Sequence, residues 1–114
     1  MNDSKYLLKH TVPEVAEYLT LRKACGLSLR GTAASKIGLS NSLFAVTVRR
    51  TSDQTLVGMG RLIGDRGTAY QILDIAVLPE DQGNGLAKSI MSAIMNHIHN
   101  EVCLLYTSDA ADEG

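Results

Sequence analysis

Residues 74–91 read DIAVLPEDQGNGLAKSIM, an apolar run, a turn carrying two glycines, and the start of an amphipathic run. A helix that starts just after a strand offers unpaired backbone N–H groups and the positive end of its dipole, which together favour an anion. Gly83 and Gly85 have no Cβ to block an oxygen, and they can adopt the positive φ that turns successive amides inward. Gln82 adds a side-chain amide donor. The same glycines would also serve a tight turn with no ligand, and generic features weigh the two readings equally. Two nucleotide motifs fail here. A Walker A loop needs Lys directly after its last glycine, whereas Leu86 and Ala87 separate Gly85 from Lys88. The dinucleotide fingerprint needs a third glycine or alanine where Lys88 stands, and a parallel βαβ unit around it.

Upstream, TAYQILDIAVL has apolar residues on both alternating faces, which predicts a central strand covered on both sides. From Ser42, SLFAVTV and TLVGMGRLI are separated by the polar RRTSDQ and read as a hairpin; GDRG then turns into the third strand of an antiparallel series. Gly58 and Gly60 share one face, where a helix can approach closely. Downstream, Leu86, Ile90, Ile94 and Ile98 recur every four residues with Ala87 and Met91 beside them, so a helix packs on the sheet. At the start, KYLLKH is a short strand. Thr11 is the expected N-cap of a helix, with Pro13 in its first turn and Glu14 as capping-box partner. Val15, Tyr18, Leu19 and Arg22 have helical spacing, and Gly26 is placed to end that helix in a left-handed cap. A weaker helix over residues 32–37 should stop at Gly38, leaving GLSNS as a loop.

The 114 residues, 45% hydrophobic and 20% charged, fit one globular domain, and a net charge of −1 gives no electrostatic case for nucleic acid or membrane as partner. With no signal-peptide pattern and no membrane-length apolar stretch, the reading is cytoplasmic. Cys25 and Cys103 are too few for a disulfide framework and show no metal-type pairing. His97 and His99 point in different directions on a helix, so no metal is expected and both read as solvated. Asp74 is the lone ionisable residue in an apolar strand. A structural pair, for example with Arg61 on the neighbouring strand, is favoured over a role as base or substrate anchor. Tyr18 and Tyr70 read as core.

The opening stretch resembles the acetyl-coenzyme A signature of the GNAT superfamily of N-acetyltransferases, Gln/Arg-x-x-Gly-x-Gly/Ala, through Gln82, Gly85 and Ala87, with Val77 and Pro79 also matching. Over residues 5–102 the elements follow the family's order. The resemblance implies an α/β (α+β) fold with a mixed, mainly antiparallel sheet in the order β-α-α-β-β-β-α, and acetyl-CoA as cosubstrate without a metal. It implies that the amides of Gln82, Gly83, Asn84, Gly85, Leu86 and Ala87 hold the diphosphate, and that Ile75 and Val77 pair with the pantetheine arm. The Ile75 amide would polarise the thioester carbonyl while the amine of a small-molecule acceptor attacks directly. The position that some members fill with glutamate falls on Gln71, which cannot accept a proton, so water-mediated transfer is expected, with Asp74 a weaker candidate base. The alternative function is a non-catalytic α/β module whose turn is structural or holds another phosphate ligand.

Complete domains of this family continue with a splayed strand, a helix and closing strands, none of which fits CLLYTSDAADEG. VCLLY is a candidate start of the next strand, and Tyr106 is not given the role of the family's thiolate-protonating tyrosine. Residues 103–113 resemble the in-frame translation of a transposon-type sequencing adapter. The expectation is therefore a partial acetyltransferase domain over residues 1–102, a non-native tail over 103–114, and an unstable, inactive fragment.

Overall fold

The computed structural model describes the backbone of residues 5–113 and the side chains of residues 5–106. Its elements are β1 (Tyr6–Lys9), α1 (Val15–Ala24), α2 (Thr32–Ser40), β2 (Phe44–Arg50), β3 (Leu56–Gly64), β4 (Tyr70–Val77) and α3 (Leu86–Glu113), with a 3-10 turn Pro79–Asp81 leading into α3. The strands form one sheet in the order β1-β2-β3-β4, every neighbouring pair antiparallel. The expected α+β order β-α-α-β-β-β-α is thus present, and the described strands form its antiparallel part.

The sheet is sandwiched between helices. On one face Leu86, Ile90 and Ile94 of α3 are fully buried against Val46, Val48 and Leu62. Each such side chain contributes about 1.5–3 kcal/mol relative to exposure. On the other face Tyr18 and Leu21 of α1 and Leu39 of α2 pack with Met59 and Ala76. The two strand glycines admit α3: a Cβ on Gly60 would stand 2.6 Å from Ile90 Cγ2 and 2.6 Å from Ile75 Cδ1, and one on Gly58 would stand 3.2 Å from Ile90 Cδ1.

Several local expectations are corrected. Helix α1 begins at Val15 with Glu14 as N-cap and no side-chain cap, and Pro13 lies before the helix. Thr11 instead shares a 3.0 Å hydrogen bond with the Thr47 hydroxyl of β2, which occupies the side chain that would have capped the helix. The C-terminus behaves as expected: Gly26 has φ +73°, and Leu27 and Gly26 donate to Arg22 O and Lys23 O, a Schellman motif. Helix α2 does not stop at Gly38. It runs to Ser40, where the Asn41 side chain donates to Ile37 O at 2.9 Å and satisfies an end carbonyl.

Strand β4 is an edge strand rather than a central one, bonded only to β3 among the described residues. Its apolar residues on both faces reflect α3 on one side and α1 on the other. VCLLY is not a strand; α3 continues through it to Glu113. No glycine or proline interrupts residues 86–113, and alanines near the end favour continuation. No helix among the described residues is long and apolar enough to cross a membrane.

Candidate functional site

The strand that leads into the glycine turn is not regular. Arg61 faces Leu73 and Met59 faces Ala76, so Asp74 and Ile75 together stand opposite Gly60, a β-bulge. Asp74 takes φ +59°, a left-handed conformation that aspartate tolerates better than most residues. Past the bulge the ladder resumes. Leu78 donates to Val57 O at 2.8 Å, and alternation along the strand therefore turns the N–H and C=O of Val77 to the open edge. The Val77 carbonyl there accepts from Gln82 Nε2 at 3.1 Å and from the Cys25 thiol at 3.4 Å. Burial pushes the Cys25 thiol pKa up.

Beside this edge lies an open cleft of about 420 Å³ lined by Ile75, Ala76, Val77, Gln82, Gly83, Gly85, Leu86, Ala87 and Lys88. The structure therefore brings the sequence-predicted positions together around one space, with Asn84 in the same turn. Gly83 and Gly85 have φ +87° and +77°, and a Cβ on either would meet nothing within 4 Å. These glycines are required by backbone conformation and not by packing.

The amides of this turn divide sharply. Gln82 N–H is used internally, donating to Pro79 O at 3.3 Å, and the Gln82 side chain is turned back onto Val77 rather than offered to the cleft. From residue 83 to residue 88 no N–H has an acceptor among the described residues; the first amide of the following turn to be satisfied is Ser89, donating to Gly85 O at 3.1 Å. Gly83, Asn84, Gly85, Ala87 and Lys88 are exposed. Unpaired donors at a helix start, next to a cleft, can accept an anion without first breaking any internal bond.

Asp74 itself faces away from this chemistry. Its side chain is 2% exposed and both oxygens are occupied: Oδ1 by Arg22, Oδ2 by Arg61 Nε at 2.6 Å and by the Tyr18 hydroxyl at 2.8 Å. The Arg61 pair favoured from sequence is present, and Arg22 and Tyr18 complete it. Arg22 further donates to Ser28 O, and Arg61 to Gly38 O and Ser42 Oγ, so the bulge is tied to α1, α2 and the segments that follow them. Sequence reasoning missed Arg22. Its signal was an arginine four residues after Tyr18 on an apolar helix face, which demands a buried carboxylate partner.

A second buried carboxylate was also missed. Asp81 is 3% exposed and accepts from the Tyr6 hydroxyl at 2.7 Å and from Arg50 Nη2 at 2.7 Å. Gln71 is exposed on β4. His97, expected to be solvated, instead stacks on Phe44 with ring centroids 4.2 Å apart and lies 2.7 Å from Glu101. His99 is exposed, with Nε2 3.6 Å from Cys103 Sγ, and no group of three or more metal-ligating side chains occurs among the described residues. Tyr18 is core, as expected, and Tyr106 is exposed.

Comparison with known proteins bears on this geometry. The family model "Acetyltransferase (GNAT) family" matches residues 16–112. A curated relative from Prochlorococcus marinus, "Uncharacterized N-acetyltransferase ycf52-like", is 31% identical over 90 residues, covering 77% of this chain and 50% of that protein. This chain thus spans about half the length of that relative. A solved structure of a probable acetyltransferase from meticillin-resistant Staphylococcus aureus superposes with TM-score 0.79 at 41% identity, over 83% of this chain and 70% of that one. A GNAT family acetyltransferase from Brucella melitensis, solved in complex with acetyl-CoA, shares the fold at TM-score 0.62 and 14% identity, over 83% and 69% of the two chains. A match across most of the chain, joined to a bulged edge strand that runs into an open glycine turn, makes the protein a member of the GNAT acetyltransferase family.

Proposed function

We propose that this chain carries the acetyl-CoA site of an N-acetyltransferase that acts on the primary amine of a small molecule in the cytoplasm. The observation that carries the reading is the run of unpaired amides over residues 83–88, opening on the cleft beside the free edge of β4. The solved Brucella melitensis relative is a complex with acetyl-CoA.

The residues fit such a ligand. Gly83 and Gly85 carry no Cβ at the centre of the turn, so phosphate oxygens can reach the amides of Gly83, Asn84, Gly85, Leu86 and Ala87, with Lys88 at the rim. Gln82 shapes the turn by holding the Val77 carbonyl. The Val77 N–H, turned to the open edge, would pair with the amide-rich pantetheine arm. Bound acetyl-CoA supplies an activated acyl group. Two residues before Val77, at the bulge, the Ile75 N–H is the donor suited to hold negative charge on the acyl oxygen. Positioning of the amine beside that group would supply the remaining rate advantage.

Neither side chain considered as a base is available to take the amine's proton. Gln71 cannot accept one, and both oxygens of Asp74 are engaged by buried partners. We therefore assign proton removal to water and give Asp74 a structural part. Titration calorimetry with acetyl-CoA tests the reading: saturable one-to-one binding is expected, lost or weakened at least tenfold, about 1.4 kcal/mol, in Gly85→Val. Binding that is absent in the parent chain, or unaltered in the variant, would overturn it.

A further inference from the structure

The carboxylate nearest in sequence to the proposed anion turn is Asp81, and its place there is electrostatically costly unless something offsets it. It is buried at 3% exposure, directly before Gln82, in the segment whose next residues offer their amides to the cleft. A bare negative charge so close would oppose a diphosphate across poorly screening protein. We propose that Asp81, Arg50 and Tyr6 form a charge-neutralised latch that sets the position of the diphosphate turn, with Asp81 as its positioning residue. This rests on the acetyl-CoA reading and assigns the turn its support.

Four contacts define the latch. Asp81 Oδ1 accepts from the Tyr6 hydroxyl at 2.7 Å, and Oδ2 accepts from Arg50 Nη2 at 2.7 Å. The Asp81 carbonyl accepts from Asn84 Nδ2 at 2.9 Å, and that same amide lies 3.4 Å from the Tyr6 hydroxyl. Tyr6 belongs to β1 and Arg50 to the end of β2, two strands that contribute nothing to the cleft lining. The turn is therefore held from across the sheet, by side chains outside the cleft lining, and its amides stay free.

The latch also sorts the charges. Arg50 bridges Asp81 and Asp53, each at 2.7 Å, so its positive charge is committed to carboxylates. Tyr6 donates its proton to Asp81, and this hydrogen bond holds the Tyr6 phenol above its ordinary pKa, keeping it a donor. Asp81 can thus accept two strong bonds that fix the loop while Arg50, shared with the more exposed Asp53, offsets its charge at close range.

Titration calorimetry with coenzyme A, together with thermal midpoints, on the parent chain, Arg50→Met, Asp81→Asn and the Arg50→Met/Asp81→Asn double variant tests the proposal. Arg50→Met leaves the Asp81 charge uncompensated, and about tenfold weaker binding is expected. Removing that charge in the double variant should bring affinity back to within about threefold of the parent, because the amide oxygen of Asp81→Asn can still accept from the Tyr6 hydroxyl although the Arg50 contact is gone. A purely structural role predicts the opposite order, with the double variant weakest, and that result overturns the latch. Tyr6→Phe reads the tether alone should Arg50→Met not fold: about threefold weaker binding is expected, and unchanged affinity overturns the proposal. A parent chain that does not bind coenzyme A would remove the acetyl-CoA reading, and the latch with it; parent binding with the wrong order among variants removes only the latch.

Discussion

Strand β4 and the turn that follows it hold two polar regions of opposite character. At the bulge, Asp74 is 2% exposed in its side chain and is saturated by Arg22, Arg61 and Tyr18. A few residues on, the amides of residues 83–88 have no acceptor among the described residues and stand at an open cleft. The comparison separates two uses of polar groups. Saturated and buried ones fix a structure, because stripping a partner leaves a desolvated charge. Unsaturated and accessible ones lose no internal bond when a ligand arrives, which is what a preorganised site requires. An ionisable residue in an apolar strand is conspicuous in a sequence, yet here the accessible polar groups are backbone amides that carry no side-chain label.

Substitutions that act on only one of the two regions should break this comparison if it is wrong. The largest effect is expected for Asp74→Ala, which leaves two buried guanidinium groups without their carboxylate. Loss of about 3–5 kcal/mol in urea denaturation is predicted, and a change below about 1 kcal/mol would show that the cluster is not structural. Next comes Gly60→Ala, whose new Cβ would meet Ile75 Cδ1 and Ile90 Cγ2, both at 2.6 Å. Overpacking should cost about 1–3 kcal/mol in the same assay, with Gly58→Ala milder because its nearest atom is at 3.2 Å. Gly85→Ala inverts the pattern. Its Cβ meets no atom within 4 Å but sits on a φ of +77°, so a stability loss of about 1–2 kcal/mol from the backbone alone should accompany weaker coenzyme binding. Binding unaffected beyond that loss would detach the turn from the ligand.

The smallest effect lies away from both regions. Arg49 pairs with Glu17 through two contacts of 2.7 Å, and its hydrogen bonds hold the Glu17 carboxyl below its ordinary pKa. A depressed folded-state pKa contributes stability above the unfolded value and loses it as pH falls through the folded one. Glu17→Gln should therefore cost about 0.2–1 kcal/mol at neutral pH, discounted for its exposure, and the gap to the parent should close as the medium is acidified below the carboxylate range. A gap that persisted in acid would assign the cost to packing.

How much of this was legible depended on whether the determinant was local. The four-residue repeat of Leu86, Ile90 and Ile94 and the paired Gly58 and Gly60 reported the α3–sheet contact directly, because periodicity fixes which side chains share a face. The Asp74–Arg61 pair was readable because the hairpin makes the two residues neighbours. Arg22, Tyr6 and Arg50 were not, since their carboxylates arrive from 52, 75 and 31 residues away. Strand β4 shows a further limit: apolar residues on both faces report helices above and below, and say nothing about pairing at the edges. Thr11 had the chemistry of a cap but found Thr47 first. In the turn, glycine spacing pointed to the cleft, whereas the inward fold of Gln82 onto Val77 depended on a carbonyl that only the edge position exposes.

The account stands most directly on the amides of residues 83–88, and a nitrogen-15 NMR titration of the chain with coenzyme A watches them one by one. The prediction is a saturable set of large shifts concentrated at Gly83, Asn84, Gly85, Leu86, Ala87 and Lys88, with smaller ones at Ile75 and Val77, and little change at Asp74. Shifts that never saturate, or that gather elsewhere on the sheet while this turn stays silent, would contradict it.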